Sequence, residues 1–245
     1  MHQNRSYRYL FHGDRLASFR VAVKETDLFV YAVKPLEDIT RELILLYRGY
    51  IEAYIQMHPE FLISLKPLRI SGPAPIIVKD MASAGEAAGV GPMAAVAGAI
   101  AEHVGRGLLS HTDEVIVENG GDVFMRTDGA VTVGIFAGAS PLSLRIGLRL
   151  NCGKRPFAVC TSSGTVGHSL SFGKADAVSV VSESCALADA AATAIGNFVG
   201  SKTDIGKAID FGKCIKGVTG LVIIVEEEIG LWGELEIVPL NGEKG

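Results

Sequence analysis

Positive charge is in short supply in this chain. Its 245 residues hold 23 Lys and Arg against 27 Asp and Glu, a formal net charge of −4. A face built to neutralise phosphates needs clustered Lys and Arg, so nucleic acid is not an expected partner. Long apolar runs are missing too. The longer uncharged stretches, Ala87–Ala101, Gly129–Leu144 and Pro156–Gly173, are shorter than the ~20 residues that a spanning helix needs. Arg5, Arg8, Asp14, Arg15 and Arg20 interrupt the first twenty residues, where a signal peptide would need an apolar core. No membrane partner is expected, and the expected compartment is the cytoplasm. Cysteine is sparse as well. Cys152, Cys160, Cys185 and Cys214 show no C-x-x-C spacing, and no His completes a zinc pattern. They read as reduced thiols in or near the core. Aromatics are only 7%, while there are 29 glycines. The surplus therefore lies in small residues, which allow backbones to approach each other or a ligand closely.

What is present is an ordinary globular content, 48% hydrophobic and 20% charged, with a mean hydropathy of +0.31. No Pro-, Gly- or Ser-rich linker divides the chain, so residues 1–245 are expected to form a single domain. Period-2 runs at Ser18–Val23 and Leu28–Val33 predict a hairpin. Ile39, Leu43, Leu46, Tyr50, Tyr54 and Ile55 recur near 3.6 residues and predict a helix over Leu36–Met57. Pro75–Val78 reads as a short strand, followed by a Gly/Ala-rich passage from Met81 to Gly91 and a small-residue helix from Pro92 to about Leu109. Further strands are expected at Glu114–Asn119, Asp122–Arg126, Val131–Phe136, Ser143–Leu150, Phe157–Thr161 and Ala177–Val181. A second small-residue helix is expected over Cys185–Val199 and a shorter one over Ile205–Cys214. Leu221–Val225 and Leu231–Val238 then form a closing hairpin. The fold class is α+β, a mainly antiparallel sheet with small-residue helices. Ala95–Gly105 aligned with Ala190–Gly200 matches at Ala95, Ala97, Ala99, Ile100, Val104 and Gly105. That is the pattern of an internal strand–helix–strand duplication, with ligands favouring the seam between the halves.

Three segments can carry chemistry. Asp189 and Thr193 are four apart on the second small-residue helix, hence on one face. Their hard oxygens suit Mg²⁺, which takes few protein ligands and completes its shell with water and phosphate oxygens. The same pair could instead serve its own helix, Asp189 as a cap and Thr193 by bonding back to a carbonyl. Glu118, Asn119, Gly120, Gly121 and Asp122 join two strands. The glycines give the positive φ that a tight hairpin needs, and they also let main-chain N–H groups reach a phosphate or ring edge. Asp122 or Glu118 could then bond a ribose or a base. Thr161, Ser162, Ser163 and Gly164 offer hydroxyls and amides at a strand end, followed by His168. Gly164 and Gly167 would let this loop close over a ligand, although such residues also serve plain turns.

In this order, the segments Gly89–Gly98, Val117–Asp122, Thr161–Gly164, His168, Ala177–Val181 and the string Ala188-Asp189-Ala190-Ala191-Ala192-Thr193 resemble the FAD:protein FMN transferase (ApbE) family. The resemblance covers about residues 75–200, and the Gly89–Gly98 run looks like that of a shorter branch of the superfamily. It implies FAD and Mg²⁺ as ligands, with FMN attached to a Thr hydroxyl of an acceptor protein and AMP released. Asp189 and Thr193 fall on the family's metal-binding positions. Gly120, Gly121 and Asp122 fall on its nucleotide-binding turn, and His168 falls on its active-site His. The chain departs from the family in two places. Pro92, Met93 and Ala97 stand where the transferases carry a Lys-Gly pair and an Asp. Ser169–Gly173 is shorter than the family segment and lacks its Asp-Pro. Three functions follow: a Mg²⁺-dependent enzyme acting on FAD or a related nucleotide, a flavin or nucleotide binder without transfer activity, or a relative in fold alone whose Ala-rich helices pack a homo-oligomer.

Overall fold

The computed structural model describes residues 15–151, 153–164 and 173–240. Cys152 and His168 lie outside the described residues, and so do the other residues of 165–168, the second half of the loop expected to close over a ligand. The chain opens with a hairpin, β1 (Ala17–Val23) and β2 (Thr26–Ala32), then α1 (Glu37–Met57) and the single turn α2 (Glu60–Ile63). Next come α3 (Ile76–Ala88), a 3-10 turn at Pro92–Ala95 and α4 (Val96–Leu108). A second hairpin, β3 (Val115–Asn119) and β4 (Asp122–Arg126), precedes β5 (Ala130–Gly134), β6 (Ile146–Asn151), β7 (Phe157–Ser162) and β8 (Ala177–Ser182). The chain continues with α5 (Cys185–Phe198), α6 (Ile205–Lys213), β9 (Val218–Val225), β10 (Glu228–Gly233) and β11 (Glu236–Pro239).

Eight strands form one sheet in the order β1-β2-β3-β4-β7-β8-β9-β10, and three form a second in the order β11-β6-β5. Every pairing is antiparallel. The large sheet is covered on both faces, which explains why its central strands read as nearly unbroken apolar runs. In β2, Leu28, Val30 and Ala32 point into the core shared with the helices. Phe29 and Tyr31 point into a second core against the small sheet, as the two-residue side-chain period requires. β8 is buried along its whole length for the same reason.

The large sheet is assembled as hairpin, helices, hairpin, and then again as hairpin, helices, hairpin. β1–β2 and β3–β4 flank α1 to α4, and β7–β8 and β9–β10 flank α5 and α6. The seam between the halves is the β4–β7 pair, where Asp122 stands opposite Cys160. The register sets all four hairpin ends at one edge of the sheet: Leu28 faces Asn119, Asp122 faces Cys160, and Ala177 faces Ile224.

The structure departs from the sequence reading at two places in the fold. Pro75–Val78 opens α3 and is not a strand. The β-branched trio Ile76, Ile77 and Val78 looks strand-like, but Ile77, Val78, Met81, Ala82, Ala84, Gly85 and Ala88 bury one helical face. The helix also absorbs most of the Gly/Ala-rich passage and stops at Gly89, which takes φ 77° as its left-handed cap. The first half therefore carries a helix where the duplicated pattern expects a strand. Leu231–Val238 is not one strand: Gly233, at φ 99°, turns the chain so that β10 stays in the large sheet and β11 joins the small one. Among the described residues, no single helix is long and apolar enough to cross a membrane.

Candidate functional site

α4 and α5 meet on the helix side of the large sheet, at the edge where the β3–β4 turn lies. Gly98 makes the approach possible. A Cβ there would run into the carbonyl of Cys185 and stand 2.8 Å from the Cβ of Asp189, closer than real side chains come. The small residues that stand out in the sequence are used to bring two helix N-termini together.

Each helix then supplies a carboxylate to the other. Asp189 of α5 reaches back to the first turn of α4, where its Oδ2 accepts the amide of Gly98 at 2.9 Å. The amide of Ala97 also hydrogen-bonds this carboxylate. Glu102 of α4 reaches the first turn of α5. Its Oε2 accepts the amides of Cys185 at 2.7 Å and Ala186 at 3.4 Å and the hydroxyl of Ser184 at 3.3 Å. The first amides of a helix have no partner within it, and the macrodipole adds a partial positive charge there. Both carboxylates thus sit at helix N-termini, each held there by the neighbouring helix. Arg106, one turn on from Glu102, holds the other oxygen through Nε at 2.9 Å and Nη2 at 2.8 Å. Of the two roles that spacing leaves open to Asp189, capping is present, but the helix capped is α4 and not its own.

The β3–β4 turn is tied to the same place. The Asn119 side-chain amide donates to the carbonyl of Ala97 at 3.0 Å. Glu118 is almost completely buried, 1% exposed, and its Oε1 accepts the amide of Gly121 at 3.2 Å. Gly120 and Gly121 take φ 69° and 120°, and Gly120 is the exposed tip. Asp122 points inward from the start of β4 and is 8% exposed. Its carboxylate hydrogen-bonds with the Cys160 side chain and the Thr161 amide. The Cys160 thiol in turn lies 3.4 Å from the Cys185 carbonyl and 3.5 Å from the Cys185 sulfur.

This gathering of acids in a small space sets the electrostatics. Burial pushes Asp122 well above the usual carboxylate range, and the charges of Asp189 and Glu118 push it further. Burial raises Asp189 to about 7, against the lowering pull of the Gly98 and Ala97 amides. Burial also pushes the Cys160 thiol up, and the Cys185 thiol to about 11. Both thiols are therefore neutral at pH 7, and each is a poor nucleophile. The Asp122–Asp189 pair is different. Two carboxylates that repel each other in a partly desolvated space favour a shared proton or a bound cation.

The remaining predicted residues line the same helix. Thr193 is one turn beyond Asp189 on α5 and is partly exposed. Gly196, the next position on that stripe, faces Ser162: a Cβ there would stand 3.8 Å from the Ser162 hydroxyl. Thr161 shares a 2.8 Å hydrogen bond with Ser179. Ser163 follows the end of β7, and the Gly164 amide donates to the Ala175 carbonyl at 2.9 Å. Gly164 and Gly173 thus lie side by side next to α5. The structure brings together Glu118, Asn119, Gly121, Asp122, Asp189 and the first turn of α4. The Thr161 main chain joins them through Asp122, and Ser162 to Gly164 lie beyond along α5.

Glu102, Cys160, Cys185 and the Ala97–Gly98 amides escaped the sequence reading. Main-chain donors leave no mark on a sequence. Glu102 left a faint one, as the single acid in the small-residue helix with Arg106 at the i+4 position.

Residues 8–231 match a family model described as AbpE bacteria. A UPF0280 protein of Methanococcus aeolicus is 44% identical over 212 residues, covering 84% of this chain and 86% of the relative. A UPF0280 protein of Methanococcus vannielii is 43% identical, covering 90% and 92%. Two solved structures share the fold at low identity. The apbe protein of Thermotoga maritima has a TM-score of 0.54 at 15% identity, over 89% of this chain and 97% of that one. The flavinyl transferase ApbE of Pseudomonas stutzeri, in its apo form, has a TM-score of 0.56 at 12% identity, over 91% and 94%.

Proposed function

We propose, from the premise that this chain belongs to the AbpE bacteria family, that it is a Mg²⁺-dependent enzyme that binds FAD and transfers FMN to an acceptor, releasing AMP. One structure with this fold is named a flavinyl transferase. The observation that carries the reading is the convergence of Asp189, Asp122 and the Asn119–Asp122 turn on the first turn of α4. Several hard oxygens there share one partly desolvated space, and a divalent cation would relieve the repulsion between Asp122 and Asp189. The donor set fits Mg²⁺: Asp189 and Thr193 would hold it, with Asp122 as the neighbouring charge. Bound there, the ion would draw negative charge from a pyrophosphate.

In the reaction, an acceptor hydroxyl oxygen bonds to the FMN phosphorus of FAD. The pyrophosphate P–O bond breaks, AMP leaves, and the hydroxyl proton passes to a base. We assign that base to His168. The exposed main chain at Gly120 and the hydroxyls of Ser162 and Ser163 would contact the nucleotide. Positioning and charge neutralisation supply most of the catalysis in such transfers.

A second reading has its own support. Ala97 offers only main-chain groups to the site, where the transferases that the sequence resembles carry an Asp. A protein that binds the flavin nucleotide and does not cleave it would need no more. The two readings separate when purified protein is incubated with FAD and Mg²⁺ and AMP is measured. AMP that depends on Mg²⁺ supports transfer, whereas bound FAD without AMP supports the binder. His168→Ala is expected to reduce AMP formation far more than FAD affinity. Equal losses would make the ring a binding group.

A further inference from the structure

We propose that Glu102 is a positioning residue for the Asp189–Thr193 face. Asp189 can reach the Gly98 amide only if the first turn of α5 lies against the first turn of α4, and Glu102 fixes that turn. Its Oε2 gathers the Ser184 hydroxyl and the Cys185 and Ala186 amides. Its Oε1 is anchored by both Arg106 nitrogens, so the carboxylate is stiff as well as close. Ser184 caps the same helix through Leu187 at 3.3 Å, which secures the local turn without Glu102. What Ser184 does not supply is the tie between helices. Glu102 supplies that tie from α4 to α5, and Asp189 supplies the return tie from α5 to α4. The two carboxylates therefore act as a reciprocal clasp, and releasing one loosens the other.

The functional half of this inference rests on the FAD and Mg²⁺ reading above; the structural half does not. The test is residue-resolved amide exchange on the full chain, comparing wild type with Glu102→Ala and Glu102→Gln. A clasp predicts that Glu102→Ala speeds exchange about tenfold or more at Cys185 and Ala186, the loss of one cap. It also predicts faster exchange at Ala97 and Gly98, whose amides bond the Asp189 carboxylate and not the Glu102 side chain. Glu102→Gln keeps one acceptor oxygen and should fall between the two; it carries the test if the alanine variant does not fold. Faster exchange confined to Cys185 and Ala186 would make Glu102 a local cap and overturn the proposal.

FAD titration with Mg²⁺ on the same proteins separates the two ideas. Weaker FAD binding in Glu102→Ala, with Ala97 and Gly98 loosened, supports both. If wild type binds no FAD and the exchange pattern still appears, the proposed function fails and the clasp stands. If wild type binds FAD and Glu102→Ala binds it equally well, Glu102 positions nothing that the ligand uses.

Discussion

α4 begins with Val96, Ala97 and Gly98, and this first turn offers its main-chain amides to Asp189 of α5. α5 begins with Cys185 and Ala186 and, one turn on, presents Asp189 and Thr193. The hairpins that follow differ in the same way. The β3–β4 turn, Asn119-Gly120-Gly121-Asp122, is drawn in against α4 by Asn119 and buries Asp122. The β9–β10 turn at Glu226-Glu227 carries its acids outward, with Lys202 paired to the neighbouring Glu228 at 3.3 Å. Two halves with the same order of elements have thus been put to different uses. The first gives backbone donors, a tight turn and Asp122, and the second gives the Asp189 carboxylate that the α4 amides meet. A ligand site needs both kinds of group, which is why the candidate site lies at the seam and not within either half.

The difference between the halves can be broken most severely at Gly98. Gly98→Ala adds a Cβ that meets the Cys185 carbonyl and Asp189 Cβ, with main chain on one side that cannot give way. Alanine is the better helix former by about 1 kcal/mol. Overpacking of this kind costs typically 1–3 kcal/mol, occasionally more. We expect a net destabilisation of about 2 kcal/mol, read by denaturant unfolding. A stabilised Gly98→Ala protein would show that the helices are not in this contact.

Asp189→Ala comes next. Removing the return cap should cost about 1 kcal/mol and leave the fold intact. Divalent-dependent FAD affinity should fall about tenfold or more, the loss of one charged contact. Unchanged affinity in a folded variant would remove Asp189 from the metal site.

The raised carboxylates give a pH prediction with a definite sign. Asp189 titrates near 7 in the folded chain and near 3.9 in an unfolded one. The folded state therefore holds more protons between those values. Its contribution to stability is fully present below about pH 4, declines as pH rises, and is lost above about pH 7. Asp122 acts in the same direction. Asp189→Asn should flatten the fall in melting temperature over that window. An Asn variant with the wild-type pH profile would place the titration elsewhere.

The smallest expected effect is at Asn119. Its side chain ties the turn to Ala97 by one neutral hydrogen bond, so Asn119→Ala should cost about 0.5–1.5 kcal/mol. Amide exchange at Gly120 and Gly121 should rise with it. Exchange that stays slow would mean that the turn holds its place without α4.

Much of this fold is legible in the sequence because patterning and burial agree. α1 and β3 are each expected to start one residue earlier than they do, and β4 lies where the apolar run after the Gly-Gly turn places it. α3 is misread because three β-branched residues after a proline imitate a strand, while the evidence for a helix lies in spacings that only a packed face makes decisive. The Asp189–Thr193 spacing points to one helical face, and the structure has them one turn apart on α5. Which helix Asp189 caps cannot be read locally, since Gly98 is 91 positions away in sequence. The clasp joins a side chain to main-chain amides, and every residue has amides. His168 lies outside the described residues, so its role stands on the sequence and on the experiment proposed for it.

The most direct measurement is a Mn²⁺ titration of the ¹⁵N-labelled full chain followed by amide NMR, with the paramagnetic ion standing in for Mg²⁺. If the seam between the halves is the ligand site, the amides of Ala97, Gly98, Gly121 and Asp189 broaden first, and they stay sharp in Asp189→Ala. Broadening that begins instead at the outward acids Glu226, Glu227 and Glu228, and that ignores Asp189→Ala, would contradict it.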